Sequence, residues 1–342
     1  MATRNRFVNA VYSASFALWF PLFRAMTRFV SRPILGAIAR QTVGRFFALR
    51  PKYLAAIRGN FARILGEPLD SSRVAAAARE MIDQHSYHWI DFFYFAQRPF
   101  AEAQGLIAEI EGYEKIVAAE REGRGVILAT AHLGNWYLGG MLLGGLDHPI
   151  QVVLKPDRFP VVERFRSEMH RRWGVGEIAV GDSYFSGVAV VRALAAGGIL
   201  GIQCDRDFNN TGIAVDFFGK PAYFPRGPFA AAMVSGAPMF PSFILRDGER
   251  YRILIEDPLP IARGGEHETD LRANVERFVA ILEKHVRRHP TQWYCFYPFW
   301  DDPSRHSPHG PAVAGPPRRS ARGIAAPDSR GDALSRRSGG GR

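Results

Sequence analysis

The chain has 342 residues, an apolar content of 47% that is ordinary for a folded protein, and a formal net charge of +11. Its length suits one large α/β domain with extensions, and two cysteines, Cys204 and Cys295, in no metal or redox spacing give no disulfide framework and no zinc site and fit a reducing compartment. Residues 303–342 hold eight arginines against two aspartates, more than half of the net charge, so the mildly basic body is weak ground for a nucleic-acid partner.

Residues 7–23 contain no charged residue and are flanked by Arg4, Arg6, Arg24, Arg28 and Arg32. Pro21 interrupts a stretch already at the short limit for a span, and Phe16, Trp19, Phe20 and Phe23 suit a membrane interface. The reading is a membrane-associating helix within residues 1–32, interfacial or shallowly inserted, with a buried core helix as the plainer alternative; a secretory signal lacks a convincing cleavage site. Residues 33–65 and 71–97 read as helices, the second opened by the cap-like Asp70, Ser71 and Ser72. From about 105 the rhythm alternates. Strands are predicted at 125–131, 150–154, 177–180, 198–203, 213–218, 239–245 and 251–256. Helices are predicted at 113–121, 135–145, 160–173, 184–196, 227–235 and 268–288. The fold class is therefore α/β with a mixed, mostly parallel sheet flanked by helices: a helical part over 33–104 and a sheet core over 105–300. The segment 301–342, rich in Arg, Pro and Gly, buries too little apolar surface to offset its ordering entropy and reads as disordered.

Val126 to Ala131 forms an apolar strand that stops at His132, followed by Gly134, Asn135, Trp136 and Tyr137. A strand-to-helix turn faces a crevice in α/β sheets, and a histidine there suits a general base. Backbone N–H groups near Gly134 and Asn135 could stabilise an oxyanion. A second apolar strand ends at Asp205, Arg206 and Asp207, followed by Phe217, Phe218, Gly219 and the helix start at Gly227. The aromatic residues read as pocket or as core, and Asp205 and Arg206 as site residues or as a surface ion pair. Lys155 and Arg171 are candidate phosphate contacts, although a solvated basic face is the plainer reading for most arginines of that helix, Arg164, Arg166 and Arg172 among them. The aromatic cluster from Trp293 to Trp300 reads as core packing.

These residues, in order and spacing, resemble the bacterial lipid A late acyltransferases (lauroyl and myristoyl transferases) and their relatives, the phosphatidylinositol mannoside acyltransferases. The pieces are Asn60 to Leu65, His132 to Trp136, Lys155-Pro156, Asp205, Phe217 to Gly219, Pro225 to Gly227 and His289 to Trp293. The resemblance covers residues 7–300. It implies a glycerolipid-acyltransferase-like fold at the cytoplasmic face of an inner membrane. The implied activity moves a fatty acyl group from acyl carrier protein or acyl-CoA, as co-substrate, to a hydroxyl of a lipid or glycolipid. No metal and no further cofactor are expected. His132 would be the base, with Asp205 and Arg206 near it and Phe217, Phe218, Gly219 and Gly227 shaping the pocket. The family pattern puts Asp or Glu five residues after the histidine; this chain has Tyr137. Either another carboxylate such as Asp205 or Asp207 approaches His132, or His132 works alone on slower or different chemistry, or the chain is a catalytically impaired lipid-binding relative.

Overall fold

The computed structural model describes residues 21–144, 149–157, 160–181 and 186–300. Of the hydrophobic helix expected over 7–23 only the last three residues fall there, within a helical stretch over 21–29, and the tail over 301–342 lies outside the described residues. The predicted run 33–65 divides into α1 (Arg32–Ala48) and α2 (Pro51–Leu65). Pro51 has no N–H to continue α1 and suits the first turn of a new helix. Gly66, at φ 65°, ends α2. In α3 (Ser72–Phe95), Ser71 caps the start by accepting from Arg73 N, and Val74, Ala77, Ala78, Met81 and Ile82 are buried at helical spacing.

A short α4 (Phe100–Gln104) precedes β1 (Ile107–Glu111), α5 (Tyr113–Arg121), β2 (Val126–Thr130), α6 (Trp136–Gly144), β3 (Ile150–Leu154), α7 (Pro160–Arg172), β4 (Gly176–Ala179), α8 (Ser186–Ala195) and β5 (Ile199–Gln203). The hairpin β6 (Ile213–Phe217) and β7 (Lys220–Phe224) follows, then α9 (Gly227–Ser235), β8 (Met239–Asp247), β9 (Arg250–Ile255) and α10 (His267–Arg288). The main sheet runs β1-β9-β8-β2-β5-β3-β4, with β8–β9 its antiparallel pair and the other pairs parallel. This is the expected α/β class. The sequence reading omits α4, β1 and β7. The first is barely more than one turn, β1 is an edge strand with two exposed acids, and β7 carries Pro221, which a two-stranded hairpin tolerates at its edge.

Side chains alternate across a sheet. Ile127, Ala129 and Ala131 pack with Leu200, Ile202 and Cys204 in one core layer, closed by Phe217 and Phe224 of the hairpin and by Phe229 and Phe278 of α9 and α10. Val126, Leu128 and Ile199 belong to the opposite layer, with Phe92 of α3, Leu138 and Met141 of α6 and Phe165 of α7. By the same alternation Thr130 and His132 on one chain, and Gly201, Gln203 and Asp205 on the other, face this second layer.

Candidate active site

Strands β2 and β5 lie in parallel register, with Thr130 opposite Gln203. Both chains run on past the sheet's C-terminal edge, where open α/β sheets bind ligands. There, Asp205 Oδ1 lies 2.8 Å from His132 Nδ1, while Asp205 Oδ2 accepts from His132 N at 3.0 Å and from Trp293 Nε1 at 3.2 Å. The carboxylate thus holds the imidazole by ring and backbone, and Nε2 is the ring nitrogen outside this contact. His132 is 7% exposed and Asp205 1%. Burial pulls the imidazole pKa down, Arg206 lowers it further, and Asp205 opposes both. Burial would raise the Asp205 pKa, yet His132 and Arg206 hold it at about 2. At neutral pH the pair is a neutral imidazole against an ionised carboxylate, the form able to take a proton.

The turn after His132 is fixed from several sides. Gly134 has φ 72°, and a Cβ there would meet Ile244 O at 1.8 Å, so only glycine fits. Gly134 N donates to Gln292 O at 2.9 Å and Asn135 N to Ile244 O at 2.8 Å, while Tyr294 N donates to His132 O at 2.8 Å. These bonds correct one expectation: the N–H groups of Gly134 and Asn135 are spent on backbone carbonyls and are not oriented to an oxyanion. Asn135 acts instead as a strut. Its Oδ1 accepts from Leu138 N at 3.4 Å in the first turn of α6, and its Nδ2 donates to Tyr251 Oη at 3.3 Å. Tyr251 in turn donates to Asp91, which Arg32 grips through Nε at 2.6 Å and Nη2 at 2.9 Å. A buried polar chain therefore runs from α1 to the turn beside His132.

Of the carboxylates weighed against the missing acid, Asp205 meets His132. Asp207 is engaged elsewhere, accepting from the backbone N–H of Asn209, Thr211 and Gly212. Tyr137 sits in an aromatic nest with its ring 4.5 Å from Phe92 and 5.3 Å from His88, and burial pushes its phenol up to about 12. Trp136 packs edge-on to His132 at 4.8 Å.

A cavity of about 530 Å³ lies along this face, and Ile202, Val190 and Ala231 of the opposite layer also line it. Leu128, Leu143, Ile150, Ile244 and Ile253 form its apolar part, and Gly139, Gly140 and Gly201 leave room between α6 and the sheet. Its polar lining includes Tyr137, Lys155, Arg166, His170, Arg206, Arg226 and the Gly227 start of α9. Tyr137, Lys155, Arg206 and Gly227 all line it, while His132, packed against the lining residue Trp136, does not. Gly134 and Asn135 do not line the cavity, since the turn faces β8 and the segment after α10. Arg171 is corrected as well: it is exposed on α7 and away from the cavity, and the inward groups of that helix are Arg166 and His170, four residues apart. The reading of Phe217, Phe218 and Gly219 as pocket residues is also overturned. Phe217 is fully buried in the opposite layer, 5.6 Å from Trp293, and Phe218-Gly219 is the positive-φ turn of the hairpin. Trp293 and Arg166 are residues beside the site that the sequence reading left as core and as surface, and His170 is one it did not single out. Among the described residues no three His, Cys, Asp or Glu side chains stand together as metal ligands would.

Fold and site together define an α/β enzyme with a His–Asp pair beside a hydrophobic channel. Residues 7–301 match the family described as bacterial lipid A biosynthesis acyltransferase. The phosphatidylinositol mannoside acyltransferase of Mycobacterium tuberculosis (strain ATCC 25618 / H37Rv) is 26% identical over 272 residues, 77% of this chain and 81% of that protein. The protein of the same name from Mycolicibacterium smegmatis is 25% identical over 299 residues, 85% and 91% of the two chains. The lipid A biosynthesis palmitoleoyltransferase of Escherichia coli (strain K12) is 25% identical over 189 residues, 54% and 58%. The chain belongs to the bacterial lipid A biosynthesis acyltransferase family and is an acyltransferase of that type, with an acyl donor and a lipid acceptor as its general substrates.

Proposed function

We propose that the protein is a membrane-associated O-acyltransferase that moves a fatty acyl group from acyl carrier protein or acyl-CoA to a hydroxyl of a lipid or glycolipid acceptor, lipid A precursor-like or lysophospholipid-like. The observation that carries this reading is the His132–Asp205 pair, which follows the cavity-lining residues Thr130 and Gln203 past the ends of their strands. His132 Nε2 takes the acceptor's hydroxyl proton as the oxygen attacks the thioester carbonyl, and the imidazolium returns that proton to the leaving thiolate. Asp205 sets the tautomer and stabilises the imidazolium. The apolar lining takes the acyl chain, and Lys155, Arg206 and Arg226 offer cations to phosphate groups of donor or acceptor. The Asp205 contact to His132 supports this reading over the non-catalytic lipid-binding alternative that Tyr137 raises.

Location at the cytoplasmic face of the inner membrane belongs to the same proposal. Among the described residues no helix is long and apolar enough to cross a membrane. Leu22, Phe29, Ile34, Ile38, Phe46 and Leu49 are nevertheless exposed along 21–29 and α1, interleaved with exposed Arg24, Arg28 and Arg45. Apolar rings and arginines side by side suit an anionic lipid surface.

The test is transfer of labelled dodecanoyl groups from acyl carrier protein and from coenzyme A to lipid A precursors, lysophospholipids and mannosylated lipids by purified, detergent-solubilised protein. We expect transfer that falls by about 10³-fold or more in His132→Ala, and by a comparable factor in Asp205→Asn. Undiminished turnover in His132→Ala would overturn the mechanism, and no transfer over the whole panel would overturn the activity.

A further inference from the structure

Two polar side chains inside the cavity have no role in the chemistry described so far. Thr130 and Gln203 face each other across β2 and β5 and both line the cavity. Thr130 Oγ1 and Gln203 Nε2 are buried and have no hydrogen-bond partner in the protein. Buried polar groups are nearly always paired, and two orphans on one rung of one sheet call for a shared explanation. Their place in the sheet supplies it. The rung beyond them is His132 with Asp205, and the rung behind them is Leu128 with Gly201, where the lining is apolar and spacious. Successive rungs on one face are about 6.6 Å apart. A thioester whose carbonyl lies at His132 and whose chain follows the cavity must pass this pair a few bonds from the reacting carbon.

The geometry points to a hydrogen-bonding subsite: Thr130 and Gln203 read a neutral polar group, a hydroxyl or an amide, carried by the acyl donor one rung from its reacting carbonyl. The inference rests on the acyl-transfer reading and deepens it. An all-hydrocarbon segment at this rung would leave both groups dry and unpaired, so a site built this way discriminates against it. The same chemistry has two sources in a donor of this kind: a mid-chain hydroxyl of the acyl group, or the amide of the pantetheine arm nearest the sulfur.

Two matched pairs of donors separate the sources. One pair is 6-hydroxydodecanoyl-CoA against dodecanoyl-CoA; the other is the dodecanoyl thioester of N-acetylcysteamine against that of pentanethiol, which lacks the amide. The full chain is expected to prefer the polar member of one pair by about tenfold in kcat/KM. In Thr130→Val/Gln203→Leu that preference disappears because the apolar donor is used relatively better, and the unfolding midpoint is unchanged or higher, since apolar isosteres replace unpaired polar groups. The pair that responds names the source. Equal use of both members of both pairs by the unmodified protein, or a preference that survives the double substitution, overturns the inference. Calorimetric binding of the same four compounds to His132→Ala, with and without the double substitution, repeats the comparison without turnover. Discrimination in binding, together with no transfer by the unmodified protein from any of the four compounds, would sink the acyl-transfer reading and keep the subsite.

Discussion

At the scale of single residues, the site is governed by the His132 ring, the Asp205 carboxylate in contact with it and the nearby Arg206 guanidinium. Arg206 lowers the His132 pKa and Asp205 raises it, against a background of burial that favours the neutral ring. With His132 as base, kcat/KM should rise with pH through the imidazole pKa, below its ordinary 6.5, and level off above it. Removing the guanidinium in Arg206→Gln raises that pKa, so the acid limb of the profile moves to higher pH. Asp205→Asn removes the stabilising carboxylate, so whatever activity survives has its limb at lower pH. Profiles of kcat/KM for the two variants should therefore move in opposite directions. Tyr137 gives a second check. With Asp205 already on Nδ1 and Tyr137 packed against Phe92 and His88, Tyr137→Glu should yield no gain in rate and a lower thermal midpoint, because it buries an acid among aromatic rings. Tyr137→Phe should stay near the parent in both. The partnership of His132 and Asp205 was legible in the sequence as one of several possibilities, since each residue ends an apolar run. The choice between Asp205 and Asp207 was not, because it depends on which side of a strand end each residue leaves.

At the scale of elements, the strands that carry the site were readable from continuous apolar runs, and 113–121 and 227–235 coincide with α5 and α9. The faces of those elements were harder to read. Phe217 and Phe218 carry the same aromatic signal whether they line a pocket or close a core, and the deciding fact is which layer the hairpin covers. Arg171 and Arg166 differ in the same way: α7 presents one to solvent and the other to the cavity, and sequence does not fix the rotation of a helix rich in arginine on every side. The chain from Arg32 through Asp91 and Tyr251 to Asn135 joins α1, α3, β9 and the turn before α6 and left no local signal at all. It makes a strong prediction nonetheless. Asp91→Asn keeps the shape but leaves the buried Arg32 guanidinium undercompensated, so chemical denaturation should report a loss of about 3–5 kcal/mol. Activity measured well below the new midpoint should fall as well, because Asn135 loses the strut that orders the turn.

At the scale of the whole molecule, exposed apolar side chains concentrate at the N-terminal end of the described chain. On α1, Ile34, Ile38 and Phe46 form a stripe at multiples of four residues beside the buried stripe of Leu35, Ala39 and Phe47, so one helix offers adjacent faces to the protein and to its surroundings. Phe29 and Leu49 are each 82% exposed. If this surface rests on lipid, flotation with vesicles containing anionic phospholipid should retain the protein at low salt and release part of it as ionic strength rises. Phe29→Ser with Leu49→Ser should lower the partition coefficient at least tenfold, on the scale of about 1.5–3 kcal/mol for each large apolar side chain returned to water. Unchanged partitioning in the double variant would move the attachment to another surface.

His132 and Asp205 are 73 residues apart in the chain, yet their strands are immediate neighbours. Strand β5 occupies the slot between β2 and β3, and α6, β3, α7, β4 and α8 are all made before it. During synthesis the histidine therefore leaves the ribosome well before its carboxylate. Until β5 docks, β2 and β3 keep the edges it will cover unpaired beside an open apolar trough, a combination prone to misassociation. The price of placing the site at the centre of a parallel sheet is thus a late, cooperative step in folding: helical content can accumulate early, but a competent histidine can exist only once the middle of the sheet has closed.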